Sequence, residues 1–192
     1  MGKLVVSENV SLDGVVEDPT GEEGFRHGGW FGQHLGGDRE AWAEVEFAEA
    51  RGAAALLLGR RTDEYFGSRW NAAPGDWADR LRALPKYVVS STLVDAAWVN
   101  STVLSGDVVD QVSQLKQQID GEIIVYGSHQ LVRTLMEYDL VDEVRLAVLP
   151  VVLGAGERLF GETADQKSLR LLEAAPVGDN LCRLVYEIVR GA

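Results

Sequence analysis

An α/β fold with a mainly parallel, twisted central sheet flanked by helices is what these 192 residues predict, on three observations. Short runs of branched residues alternate with stretches whose apolar side chains recur at helical spacing. That alternation implies right-handed crossovers and parallel pairing, with ligands held at the carboxyl ends of the strands. The last two apolar runs, 169–172 and 182–189, are joined by a short connection around residues 176–180, so they pair antiparallel at one edge.

Residues 3–6 form the first strand, and 7–14 (SENVSLDG) carry it to a turn. From 15 to 38 neither period holds, and seven glycines interrupt the segment. Loops of that length are functional or disordered, and Phe25, Trp30 and Phe31 speak against disorder. Two readings stand. The segment is a glycine-hinged lid over a flat ring, or a surface excursion whose aromatics pack locally or against a second subunit. Residues 39–51 are helical, with Trp42, Val45 and Phe47 among the apolar positions and Gly52 as the stop. Residues 53–58 form a buried strand, after which Thr62 caps a short helix with Asp63 and Glu64 in its first turn. Residues 76–84 are a helix ended by Pro85, and 87–89 a strand. Residues 108–119 are a helix aligning Val108, Val112, Leu115 and Ile119. Residues 123–126 read as a strand buried on both faces. Gly127 follows, and Ser128 is placed to cap a helix carrying Leu131, Val132, Leu135 and Met136 on one stripe. Residues 144–149 close the parallel series. No repeat or linker interrupts the chain, so one domain is expected over 1–192.

Thirty acidic against eighteen basic residues leave a formal charge of −12. Such a surface repels phosphate backbones and argues against a nucleic-acid partner. An anionic cofactor then needs a local basic pocket. The single cysteine, Cys182, excludes an internal disulfide, fits a reducing compartment, and reads as a buried structural thiol. The start of the chain lacks a signal-peptide pattern, and the longest apolar run, 53–58, is too short to span a bilayer. A cytoplasmic protein with no membrane partner is expected. His27, His34 and His129 lack metal-ligand spacing. Neither a G-x-S-x-G elbow nor the G-x-G-x-x-G fingerprint is present.

Three turns at strand ends carry the candidate chemistry. Gly59-Arg60-Arg61-Thr62 offers guanidinium groups and the N–H donors of a helix start to phosphate oxygens; the other reading is two surface arginines. Ser90-Ser91-Thr92 offers hydroxyls at a strand end, and such residues are also common in turns. Gly127-Ser128 places unpaired N–H groups at the sheet edge, or only makes a tight turn.

The stretch 121–161 adds a longer pattern: a glycine turn, a helix, Leu140-Val141-Asp142-Glu143, a strand, and then P-V-V-L-G-A-G-E-R-L-F from Pro150. This resembles the dihydrofolate-reductase-like superfamily, most closely the reductase domain of bifunctional riboflavin-biosynthesis proteins. The resemblance implies a dihydrofolate-reductase-like fold, NADPH as cofactor and a homodimer. It implies that Gly59, Arg60, Arg61 and Thr62 meet cofactor phosphates and that Gly127 and Ser128 meet the pyrophosphate. Ser90 and Ser91 then lie by the adenosine ribose and its 2′-phosphate, which favours NADPH over NADH. The pair Gly154 and Gly156 makes a tight turn or a dimer contact.

On the substrate side, Asp13 matches an S-x-D-G turn of the riboflavin-type relatives, and an aspartate before glycine is also a routine turn. Phe47 falls where dihydrofolate reductases keep a ring-contacting phenylalanine. Their acidic position falls on Ala43, a departure that speaks against dihydrofolate. Glu44 and Glu46 point to other faces of the helix and read as solvated. With Trp30 and Phe47 lining a cleft, the expectation is an NADPH-dependent reductase of a pterin-like, pyrimidine-like or related small substrate. No catalytic residue stands out, which suits hydride chemistry carried by a cofactor. The zinc signature of a deaminase part is missing. The other reading is a nucleotide-binding or sensing module of the same fold without turnover.

Overall fold

The computed structural model describes residues 1–190. Its elements run β1 (Lys3–Ser11), α1 (Trp30–Leu35), a 3-10 turn (Gly36–Asp38), α2 (Arg39–Gly52), β2 (Ala53–Gly59), α3 (Arg60–Trp70), α4 (Asp76–Ala83), β3 (Lys86–Val89), β4 (Ser101–Leu104), α5 (Val108–Gln118), β5 (Glu122–Tyr126), α6 (His129–Glu137), β6 (Glu143–Leu149), β7 (Ser168–Val177) and β8 (Leu181–Val189). They build one eight-stranded sheet in the order β4-β3-β2-β5-β1-β6-β8-β7. The strands from β4 to β6 are parallel, and β8 and β7 join antiparallel.

The sheet is buried on both faces because its central strands carry apolar residues at successive positions. On one face Leu4, Val6, Leu57, Ile123 and Val125 pack with Val112, Leu115, Val132 and Leu135 of α5 and α6. On the other, Val5, Leu56, Leu58 and Ile124 pack with Ala50, Leu81, Leu84 and Trp98. Each fully buried Leu, Ile or Val here contributes about 1.5–3 kcal/mol. A third cluster joins Trp30, Leu35 and Trp42 to Ala147, Leu149, Val177 and Leu181.

Several local expectations are corrected. β1 does not end at Val6 but continues through Ser7, Glu8 and Asn9, which pair with Arg145, Leu146 and Ala147 of β6. Backbone pairing, with β5 and β6 at Ser7 and with β6 alone beyond it, overrides the polar side chains. β4, a four-residue edge strand, has too little apolar content to announce itself. Thr62 does not cap α3: the helix begins at Arg60, with extended Gly59 before it. Ser128 holds the N-cap position of α6 in a left-handed conformation, but its side chain caps nothing. Cys182 is exposed on β8, not buried.

Within the segment 15–38 one carboxylate folds the first turn. Asp18 accepts the amides of Glu22 (2.7 Å), Glu23 (3.0 Å) and Phe25 (3.0 Å). Burial opposes its charge, but these donors prevail and hold the carboxyl below its ordinary range. The segment ends in α1, whose Trp30 is 1% exposed and donates from Nε1 to the Glu17 carbonyl at 2.8 Å.

Candidate active site

Parallel strands end at one edge, and the candidate turns gather there. Gly59 pairs with Val89, so Arg60 and Ser90 are each the residue after a paired position. The β2–α3 and β5–α6 turns touch directly. Ser128 Oγ accepts the Gly59 amide at 2.9 Å and donates to Thr62 Oγ1 at 2.9 Å. Gly127, at φ 55°, allows that approach; a Cβ there would lie 3.1 Å from Thr62 Oγ1. Ser90 Oγ accepts the amides of Thr92 (3.3 Å) and Leu93 (3.1 Å), while Ser91 is exposed. The first-turn amides of α3 and α6 lack carbonyl partners within their helices.

Charge at this edge is less lopsided than the sequence suggests. Arg60 is exposed and enters none of the ion pairs among the described residues. Arg61, by contrast, meets Glu23 at 2.9 Å, Arg69 meets Glu22, and Tyr65 Oη donates to Thr20 at 3.1 Å. The 15–38 segment is therefore laid over α3 by its own carboxylates. His129, just past Ser128, is held below its ordinary pKa, first by burial and then by the Arg133 charge.

The three expected substrate residues each have partners within the chain. Asp13 Oδ1 accepts the Ser11 hydroxyl at 2.7 Å and the Leu153 amide at 3.1 Å, and Oδ2 accepts the Gly154 amide at 2.9 Å. The Ser11 bond does most to pull its pKa to about 2, with burial opposing and the two amides adding. Asp13 thus fastens the β6–β7 connection to the end of β1. Trp30 lies in the third core cluster. Phe47 faces α4, with its ring 6.2 Å from that of Trp77 and 3.9 Å beneath the Arg51 guanidinium.

A polar pocket between α2 and the sheet was not foreseen. Ser7, Trp42, Val45, Glu46, Glu49, Arg145, Leu146, Ala147 and Arg183 line a cavity of about 10 Å³. Trp42, Glu46 and Glu49 follow at helical spacing, so one face of α2 delivers all three. Arg145 bonds Glu49 (2.9 Å), Glu122 (2.7 Å) and Glu143 (2.7 Å). Burial, then the charge of Glu49, pushes the Glu46 carboxyl up to about 7. Asn9 Oδ1 is buried without a hydrogen-bond partner; Trp42 Nε1 and Tyr126 Oη are buried with poorly aligned partners only, Trp42 beside the Glu46 carboxyl and Tyr126 beside that of Glu49. Burial also raises the Tyr126 phenol well above its ordinary value, with Glu49 and Glu46 adding. Glu46 is therefore not solvated, whereas Glu44 and Ala43 are exposed. The signal in the sequence was the spacing of Trp42, Glu46 and Glu49 opposite a strand arginine. A roomier pocket, about 210 Å³, opens between α6 and β7, beside Arg133, Met136, Phe160 and Lys167. It does not lie over the strand ends.

Sheet order, antiparallel edge and converging turns define an α/β protein of dihydrofolate-reductase-like fold. Solved structures agree. A candidate riboflavin biosynthesis protein of Shewanella sp. PV-4 superposes with a TM-score of 0.78 at 22% identity, covering 98% of this chain and 99% of that one. Dihydrofolate reductase from Enterococcus faecalis, complexed with NADP(H) and RAB-propyl, gives a TM-score of 0.64 at 15% identity, covering 97% of this chain and 96% of that one. The chain belongs to the RibD C-terminal domain family, whose model matches residues 2–183. Among curated sequences, the uncharacterised YyaP of Bacillus subtilis (strain 168) is 31% identical over 105 residues, 53% of either chain. YwjB of the same organism is 41% identical over 59 residues, 31% of this chain and 34% of that one. The matched segments thus span about half or less of those relatives.

Proposed function

We propose that this protein is an NADPH-dependent reductase of a flat heterocyclic, pterin- or pyrimidine-like or related small substrate, working as a cytoplasmic homodimer. The observation that carries the reading is the contact of the β2–α3 and β5–α6 turns through Ser128, beside the unpaired guanidinium of Arg60. Those turns fit a dinucleotide. They offer helix-start amides for phosphate oxygens, and a glycine where a side chain would block the approach. Arg60 and Ser90 are the groups for a 2′-phosphate, and Gly59, Thr62, Gly127 and Ser128 for the linking phosphates. When bound, NADPH supplies a hydride; the chain's own residues position the two rings and exclude water. No helix among the described residues is long and apolar enough to cross a membrane, and the cytoplasmic placement rests on the lone thiol. The homodimer rests on family resemblance and on exposed apolar residues of β7, among them Leu169, Leu171 and Leu172.

Fluorescence titration with NADPH, followed by its oxidation across pterins, pyrimidines and quinones, tests the reading. Saturable binding with turnover of one class is expected. Binding without oxidation of any would favour the sensing module, and no binding would contradict both.

A further inference from the structure

We propose that Glu8 of β1 faces the nicotinamide ring of the bound dinucleotide and acts as its counter-charge, neutral beside NADPH and ionised beside NADP⁺. The inference rests on the reductase reading above and adds one residue to its cofactor site.

Sheet order places that residue. Along the edge the strands run β3-β2-β5-β1, with Ser90 after β3, Arg60 after β2 and Ser128 after β5. A dinucleotide with its 2′-phosphate at β3 and β2 and its linking phosphates between β2 and β5 carries its other end onto β1, about 4.8 Å further along. β5 stops at Tyr126, which pairs with Ser7. Glu8 is therefore the first residue of β1 beyond the end of β5, while Leu146 of β6 still pairs with it. It shares a face with Val6 and Val10, which pack in one cluster with Val132 and Leu135 of α6. Its side chain is half-buried, and Oε1 is enclosed without a hydrogen-bond partner. Enclosed polar atoms are almost always paired, so this one marks a place for a partner from outside the chain.

The cations on that side are engaged elsewhere. Arg133 of α6 meets Glu157 at 2.9 Å, Lys116 of α5 meets Asp142 at 2.6 Å, and Arg158 lies 3.9 Å from Asp13. Glu17 accepts the Glu157 amide at 2.8 Å, and burial keeps His129, at the start of α6, below its ordinary pKa. Burial alone acts on Glu8 and pushes its carboxyl up to about 8. At neutral pH the group is protonated, which suits the uncharged ring of NADPH. Beside the cationic ring of NADP⁺ the carboxylate is favoured, and Glu8 gives up its proton.

In turnover of a C=N substrate the hydride adds to the carbon, and the proton that Glu8 loses balances the one that the nitrogen gains. NADPH, C=N and the Glu8 carboxylic acid become NADP⁺, CH–NH and the Glu8 carboxylate. Glu8 regains a proton from water as NADP⁺ leaves.

Calorimetry of NADP⁺ and NADPH binding to the whole chain, in two buffers of different ionisation enthalpy, counts the protons released. NADPH carries the same phosphates and controls for every group but the ring. At pH 7, wild type should release close to one proton more with NADP⁺ than with NADPH. Its NADP⁺ affinity should rise roughly tenfold per unit up to pH 7 and level off above pH 8, a slope that NADPH lacks. In Glu8→Gln the two forms should release protons equally and the slope should vanish. Equal release by wild type, or a difference that survives in Glu8→Gln, overturns the assignment and leaves the reductase reading standing. Binding of neither form overturns both. Should Glu8→Gln not fold, Glu8→Asp carries the variant arm: a shifted midpoint of the NADP⁺ profile is expected, and an unshifted one overturns the assignment.

Discussion

Ser128 Oγ lies 2.9 Å from the Gly59 amide nitrogen, so one hydroxyl ties together two turns that are 69 residues apart in the chain. The contact fixes the spacing of two helix starts that would otherwise meet only through backbone pairing. Removing it in Ser128→Ala leaves the Gly59 amide without its acceptor. A loss of about 1 kcal/mol in urea unfolding is expected, with weaker NADPH binding by roughly tenfold as the helix starts drift apart.

Gly127 makes that contact sterically possible. Gly127→Ala should cost about 1–2 kcal/mol through its left-handed backbone alone, and the Thr62 clash adds to it. Pairing it with Thr62→Ala should recover only the clash. Thermal melts of the double-mutant cycle would show that non-additivity.

Acid stability should report on Asp13. Its folded pKa, about 2, lies below the unfolded value of about 3.9. The carboxylate therefore contributes stability that is fully present above pH 4 and is lost as pH falls through 2. Asp13→Asn should flatten stability against pH across that window. Hydrogen exchange at Leu153 and Gly154 should rise, because those amides lose a charged acceptor.

Glu23 occupies Arg61 on an exposed surface. Such pairs are worth up to about 1 kcal/mol, so Glu23→Gln should tighten NADPH by a few-fold at most, and only at low salt. Titrations at two ionic strengths measure this.

Much of the sheet was legible because its signals are local. The strands at 53–58 and 123–126 and the stripe on α6 are fixed by period and burial. The positions of the candidate turns were legible for the same reason, as each sits where a strand stops. The polar cluster under α2 was not. Glu46 reads as a solvated helix residue until Arg145, 99 positions later, is brought beneath α2 by β6. Ser7 and Asn9 read as a turn because nothing local shows that β6 pairs with both of them. Asp13 and Trp30 have the chemistry of ligand contacts, yet backbone amides claim the first and a distant core claims the second. Pairings between remote segments decide these outcomes.

The most direct test of the central claim is the affinity of wild type and Arg60→Ala for NADPH and NADH, measured side by side by fluorescence. If the strand-end turns hold a dinucleotide with its 2′-phosphate near Arg60, the variant should lose roughly tenfold or more in NADPH affinity while NADH changes little. Equal losses for both, or no binding of either by wild type, would contradict it.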